Sequence, residues 1–418
     1  VSLPRLLRGL SEAPTGFDDH QHLHGGVPIR RSGRSLPAEI READLRGRGG
    51  GGFPLATKLD AAVRARGTPA LVVNGTEGEP LSAKDHLLLT RLPHLVIDGA
   101  IALARAAGTD EIRVALDEHD LVGDDVLRWA LAARPELRRG DIDADVVTMP
   151  SGYVSGQETA IVAWQNGGIA KPTMSPPRVT SGGIGRRPTL VANVETVAHA
   201  ALIARHGARW YRQMGTGDQP GTTLVTLGGA VARPGVYEVE YGTSLRSLLQ
   251  TSGGVLEEID AFLIGGYAGT WVDGVTGLEV RICDTDLARV GARLGAGVIV
   301  AVPVSGCPVA ETARVTRWMA AQSSGQCGPC IHGLAAMADT MDAIVAGSAS
   351  PDALVDLERW CGLVRGRGAC AHPDGVAMLV TSTLARFTAD LLDHAHYGRC
   401  QGCERRSVLG VPELATRR

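Results

Sequence analysis

Aromatic residues are scarce in this 418-residue sequence, with 4 Phe, 6 Tyr and 6 Trp. Net charge is nearly absent: 42 Lys and Arg stand against 45 Asp and Glu, for a formal charge of −3. No basic stripe of the kind that nucleic acid requires is visible, so nucleic acid is not an expected partner. Long apolar runs are missing as well. The longest, Ala296 to Val304, is interrupted by Pro303 and falls far short of the ~20 residues that span a bilayer. Direct membrane insertion is therefore not expected. The N-terminal arginines precede no apolar stretch of the signal-peptide type. The expected location is cytoplasmic, at most peripheral to a membrane complex.

Glycine is abundant, at 54 residues, and is gathered in discrete turns. The densest is RGRGGGGFPLATK, Arg46 to Lys58, where five of the six positions 47–52 are glycine. Glycine is tolerated where φ must be positive or where the backbone must approach something closely. A glycine run feeding a helix from about Ala56, with Lys58 one turn in, presents backbone N–H groups that suit a phosphate. A flexible linker would carry Ser and Pro beside the glycines.

Apolar periodicity outlines the rest. Residues 1–36 read as irregular. Their His20, His22 and His24 are either metal ligands or part of a solvated loop. Leu71–Val73 reads as a buried strand opening into NGTEGEP, and strands follow at 112–116, 144–148 and 188–196. Helical spacing separates them over 87–107 and 124–133, and again after YVSGQET (153–159). This alternation predicts a parallel α/β layer, with ligands at the C-terminal strand ends. Residues 222–282 read as strands about one short helix, a β-grasp-like pattern. From about Ala310 the spacing is helical, with Met337 and Met341 as core filler. The expected fold class is α/β: a Rossmann-like domain over 37–220, a β-grasp module over 221–285, a linker and helical bundle over 286–398, and a tail over 399–418.

Eight cysteines are present, and CxxC spacing in a long chain of this kind reads as a metal or redox site. Cys327-Gly-Pro-Cys330 is expected to open the first helix of the bundle, with Cys370 distant in sequence. Such a set holds an iron–sulfur cluster or zinc. Cys400-x-x-Cys403 is a second half-site, a pair shared with a partner, or two free thiols.

Taken in order, RGRGGGGFPLATK, NGTEGEP with Lys84-Asp85, YVSGQET, PTLVANVET, the β-grasp module and SSGQCGPC with Cys370 resemble one family. It is the flavoprotein subunit of the NADH dehydrogenase module of respiratory complex I, with its relatives in bidirectional hydrogenases and formate dehydrogenases. The resemblance covers about residues 46–390. It implies an NADH dehydrogenase (quinone)-like oxidoreductase subunit with an FMN-binding α/β domain, an SLBB module and a helical domain holding a 4Fe-4S cluster. It further implies that Gly47, Gly49 and Lys58 cradle the FMN phosphate and ribityl chain. Asn74, Glu77, Gly156, Gln157, Glu158, Asn193 and Thr196 would complete the flavin pocket. Phe53 and Glu79 would meet the nicotinamide dinucleotide, and Cys327, Cys330 and Cys370 would ligate the cluster. Partners would be other electron-transfer subunits, ferredoxin-like or a membrane reductase, and the donor NAD(P)H or ferredoxin.

The sequence departs from the family pattern at Thr76, Gln157, Ala192, Ala61 and the SPPR of 175–178. Ser324 replaces the first cluster cysteine, leaving Ser324, Cys361 or His372 as the fourth ligand, or a cluster without one, with His372 preferred. Two other readings follow from these departures: a degenerate scaffold with a cluster but no flavin, and a zinc-stabilised binding protein.

Overall fold

The computed structural model describes residues 3–26 and 35–413, and the chain divides into two compact units. The first comprises Val1–Gly78, Ala83–Val225 and Val236–Gly242. At its centre lie four strands: β1 (Ala70–Gly75), β2 (Glu111–Asp117), β3 (Asp143–Met149) and β4 (Thr189–Asn193), in the order β3-β2-β1-β4. All three pairings are parallel. Parallel strands are covered on both faces and read as continuous apolar runs, as Leu71-Val72-Val73 does. Leu71 and Val73 enter the core beneath helices Pro93–Ala107 and Val194–Tyr211, while Val72 enters a smaller one with Ile161 of helix Glu158–Gln165.

Several boundaries differ from the periodicity reading. The strand read over 188–196 ends at Asn193, where helix Val194–Tyr211 begins. The stretch read as one helix over 87–107 is two, Lys84–Arg91 and Pro93–Ala107, because Pro93 begins the second and disfavours helical backbone at Leu92. The N-terminal segment contains a helix, Phe17–His24, rather than being irregular. There His20 is buried and its Nε2 meets Asp98 at 2.7 Å. A helix turns successive i, i+2 positions away from one another, and His20 is committed to a carboxylate, so the three histidines form no ligand set.

The second unit comprises Glu79–Ser82, Thr226–Gly235 and Thr243–Arg418. A five-stranded sheet runs β6-β5-β9-β7-β8, with β5 (Thr222–Gly229), β6 (Gly235–Glu240), β7 (Ile259–Ile264), β8 (Thr270–Asp273) and β9 (Val298–Pro303). Strand β9, expected in a linker, lies in the centre, parallel to β5 and antiparallel to β7. Helices Pro308–Ala321, Leu334–Val345, Ala353–Val364, His372–Arg386 and Thr388–Tyr397 follow. The Cys327–Cys330 motif lies between the first two of these, with Cys330 in a π-helical segment, Pro329–Gly333; it does not open the bundle. Such segments often mark functional sites in helices. Among the described residues no single helix is long and apolar enough to cross a membrane.

Candidate functional site

In the first unit the chain passes from β1 outward to β2 and β3, then returns to the other side of β1 as β4. Strand order therefore reverses between β1 and β4, and ligands of open α/β sheets bind outside the carboxyl ends at such a reversal. Register places Asn74, near the end of β1, beside Asn193, the last residue of β4. The glycine loop closes on this point. A Cβ at Gly49 would stand 3.4 Å from that of Asn193. Gly50 and Gly52 have φ of 97° and 60°, backbone that side chains rarely adopt. Gly51 and Gly52 face open space.

The helix after the loop runs Leu55–Arg64, with neither a side-chain cap nor an acidic residue in its first turn. An uncapped, positively polarised helix start beside a lysine is a place for an anion. Lys58 Nζ pairs with Glu158 and donates to the Val191 carbonyl at 3.3 Å. Asn74 Nδ2 donates to the Gly156 carbonyl at 2.8 Å. Gly156 has no room for a side chain, since a Cβ would come within 2.0 Å of Thr76 Oγ1. The expected residues Gly47, Gly49, Lys58, Asn74, Gly156, Glu158, Asn193 and Thr196 thus all belong to elements ending at or facing the β1/β4 reversal.

Others among them shape the backbone. Gln157 caps helix Glu158–Gln165 by accepting from Thr159 N at 2.9 Å. Glu77, at φ 37°, accepts from Asp85 N (3.0 Å) and His86 N (2.8 Å) at the start of helix Lys84–Arg91. A non-glycine residue in this region is strained, and such strain gathers at functional sites. Thr196 Oγ1 accepts from Arg48 N at 2.8 Å and so fixes the loop. Phe53 is 36% exposed with the Arg178 guanidinium 5.7 Å from its ring centre. Glu79 belongs to the second unit, where it is buried and its carboxylate accepts from Tyr267 N at 3.0 Å.

Sequence reasoning missed the buried charge network under the loop. Arg48, the one side chain within the glycine run, is 8% exposed and turns inward. Its guanidinium donates to Tyr211 Oη (2.9 Å) and the Thr222 carbonyl (3.2 Å) and lies over the Tyr241 ring. Lys84 Nζ lies 2.8 Å from Asp85 and 3.1 Å from Glu195. Asp85 accepts from Asn193 Nδ2 at 2.5 Å. Burial alone would raise the Glu195 pKa, but Lys84, His199 and Arg48 outweigh it and hold it at about 2. Asp85 is instead pushed up to about 7, chiefly by burial, with Glu77 and Glu195 adding to it against Lys84. The only available signal was the pairing of Lys84-Asp85 with Glu195 in motifs far apart in sequence.

In the second unit Cys327, Cys330 and Cys370 converge. The buried Cys330 thiol is raised to about 11, by burial first and then by the neighbouring Cys327, with Cys370 contributing. Burial opposes ionisation of Cys327 too, but backbone N–H groups at Ala369 and Cys330 outweigh it and lower its pKa. Ser324 is buried, with Oγ 4.0 Å from Cys330 Sγ. His372 donates Nε2–H to the Met319 carbonyl at 2.9 Å, and its backbone N–H is directed at Cys370. Cys361 faces Met337 Sδ at 3.6 Å in the core. Three thiols with a serine hydroxyl beside them are a donor set suited to an iron–sulfur cluster.

Comparison with known proteins finds matches over most of the chain. Residues 40–201 match the Nuo51 FMN-binding domain family, residues 224–266 the SLBB domain, and residues 310–394 the NADH-ubiquinone oxidoreductase-F iron-sulfur binding region. The second NADH-quinone oxidoreductase F subunit of Rhizobium meliloti is 32% identical, over 95% of this chain and 99% of its own length. The corresponding F subunit of Streptomyces coelicolor is 31% identical, over 86% of this chain and 82% of its own. Among solved structures, an NAD+-reducing [NiFe]-hydrogenase in the H2-reduced state aligns with a TM-score of 0.78 at 30% identity. That alignment covers 85% of this chain and 62% of the hydrogenase chain. The protein is accordingly an electron-transfer flavoprotein with an FMN domain and a 4Fe-4S region, and the chain belongs to the family of NADH-quinone oxidoreductase F subunits.

Proposed function

We propose that this protein takes electrons from NADH and delivers them, through its FMN and 4Fe-4S cluster, to partner subunits of a larger electron-transfer assembly. The observation that carries the reading is the open helix start at Leu55 with Lys58 and the glycine loop, at the crevice where Asn74 and Asn193 stand in register. A bound flavin supplies the conversion between a two-electron donor and a one-electron acceptor, while the protein supplies position and field.

In this reading the N–H groups of the loop and helix start, with Lys58, hold the flavin phosphate. Asn74, Asn193 and the Gly156 backbone orient the group by hydrogen bonds. Glu77, Gln157, Glu158 and Thr196 fix the backbone that carries them. Arg48, Lys84 and Glu195 hold the crevice floor rigid and exclude water from it. Phe53, half open beneath Arg178, offers the dinucleotide a flat face. Glu79 acts as a positioning residue, through its bond to the Tyr267 N–H. Cys327, Cys330 and Cys370 ligate the cluster, and Ser324, whose buried hydroxyl lies 4.0 Å from Cys330 Sγ, is the fourth ligand. Matches to both the FMN and the iron–sulfur families disfavour the flavin-free scaffold.

The test is the visible spectrum of protein purified without oxygen. Flavin bands over broad sulfur-to-iron absorption are expected, and NADH should bleach the flavin. Bleaching by reduced ferredoxin alone would sink the NADH assignment, and a colourless protein the whole reading.

A further inference from the structure

Three cysteines and a histidine outside the cluster site gather at one point in the second unit. Cys307 lies between β9 and helix Pro308–Ala321, His394 on helix Thr388–Tyr397, and Cys400 and Cys403 in the tail. One ligand atom from each lies within 4.8 Å of every other. The nearest separations are 3.2 Å from His394 Nε2 to Cys403 Sγ, 3.4 Å from His394 Nε2 to Cys307 Sγ, 3.5 Å between Cys400 and Cys403, and 3.6 Å between Cys403 and Cys307. Tetrahedral zinc with bonds of ~2.3 Å to sulfur and ~2.0 Å to nitrogen has ligand–ligand edges of about 3.5–3.8 Å. A disulfide would require about 2.05 Å between sulfurs.

The surroundings point the same way. His394 Nδ1–H donates to the Asp390 carbonyl at 2.6 Å, which leaves the Nε2 lone pair facing the three sulfurs. Metal-binding histidines are oriented by such a bond. The Ala310 N–H reaches Cys307 Sγ at 3.3 Å from the helix start, a bond that a metal-bound sulfur accepts. Gly402 lets the tail approach, since a Cβ there would come within 2.5 Å of the Gly306 carbonyl oxygen. None of the four residues is a cluster ligand, and three of them lie outside residues 310–394, the span matched by the iron–sulfur family. A cubane places each cysteine on a different iron, whereas four ligands converging on one point fit a single ion.

We propose that Cys307, His394, Cys400 and Cys403 form a structural Cys3His site for one zinc ion, which clamps the C-terminal tail to the start of helix Pro308–Ala321. Closed four-ligand sites of this composition are structural, with no open position for chemistry. The clamp adds to the bonds that already hold the tail, from Ser407 Oγ (2.7 Å) and Val408 N (2.9 Å) to the Glu311 carboxylate.

The test measures zinc and iron per chain on the full chain purified without oxygen. One zinc beyond the cluster iron is expected. Cys400→Ser, at an exposed position chosen to spare the packing, and His394→Gln should each lose the zinc and keep the sulfur-to-iron absorption. Cys330→Ala should do the reverse. Cobalt added to metal-stripped protein should give tetrahedral thiolate bands that Cys400→Ser lacks. Wild-type protein with neither zinc nor those bands, zinc retained in both tail variants, iron in place of zinc, or a Cys400–Cys403 disulfide would each overturn the proposal.

Discussion

At the scale of single residues, Lys58 and Ser324 carry the sharpest consequences. Lys58 is the one cation of the glycine motif that does not turn inward, as Arg48 does, or pair with a local Asp, as Arg46 does with Asp44. Hydrogen bonds to charged groups contribute about 1.5–3 kcal/mol, so Lys58→Ala should raise the FMN dissociation constant roughly ten- to a hundredfold. Flavin fluorescence released on dilution measures this, and full occupancy in the variant would remove Lys58 from the phosphate site. As the proposed fourth ligand, Ser324 would supply an oxygen where a thiolate would bind iron more strongly. Ser324→Cys is therefore expected to prolong survival of the cluster absorption in air. Equal decay in the variant would show that position 324 does not touch the iron.

At the scale of elements, the crossing of helices Pro93–Ala107 and Val194–Tyr211 sets where Glu195 and Asn193 stand. Gly99 makes that crossing close: an added Cβ would lie 2.0 Å from the Val197 carbonyl oxygen. No rotamer relieves a clash with backbone, so Gly99→Ala should cost at least the ~1–3 kcal/mol typical of overpacking. Thermal unfolding measures it, and an unchanged midpoint would refute the close crossing. This element was only half legible. Leu95, Val96, Ala100, Ile101 and Leu103 announce a helix by their spacing, but spacing does not say which glycine meets a neighbouring backbone. The β-grasp module shows the same limit. Its hairpins are local and readable, whereas β9 joins it from a distant stretch by pairing with β5 and β7.

At the scale of the whole molecule, the buried carboxylates govern acid stability. Asp98 accepts from His20 and Arg134 and pairs with Arg205. Burial would raise its pKa, but these three partners outweigh it and hold it well below the ordinary carboxylate range. Glu195 is held at about 2 in the same manner. An unfolded carboxylate titrates near ~4, so each folded value is depressed. The stabilisation is then complete above ~4 and is lost as pH falls towards the folded values. The unfolding midpoint should drop as the solution is acidified below about pH 4, where a flat profile would contradict the network. Glu195→Gln leaves Lys84 and Arg48 buried without their shared carboxylate, and should cost about 3–5 kcal/mol at neutral pH. Its acid dependence should also be shallower than that of the natural chain.

The sequence by itself determined which chemistry is present: a glycine loop with one lysine, two asparagines at strand ends, CxxC pairs, and apolar periods that switch between strand and helix. These are local facts, because φ preference, side-chain chemistry and periodicity act over a few residues. The tertiary structure alone decided which groups meet. It turned Arg48 away from the crevice and into a charge network, committed His20 to Asp98, and put Glu79 against Tyr267. It also brought Cys307 and His394 to a tail whose two cysteines had no visible partners. Pairings of that kind depend on packing between stretches up to two hundred residues apart, where burial, and not spacing, selects the neighbour.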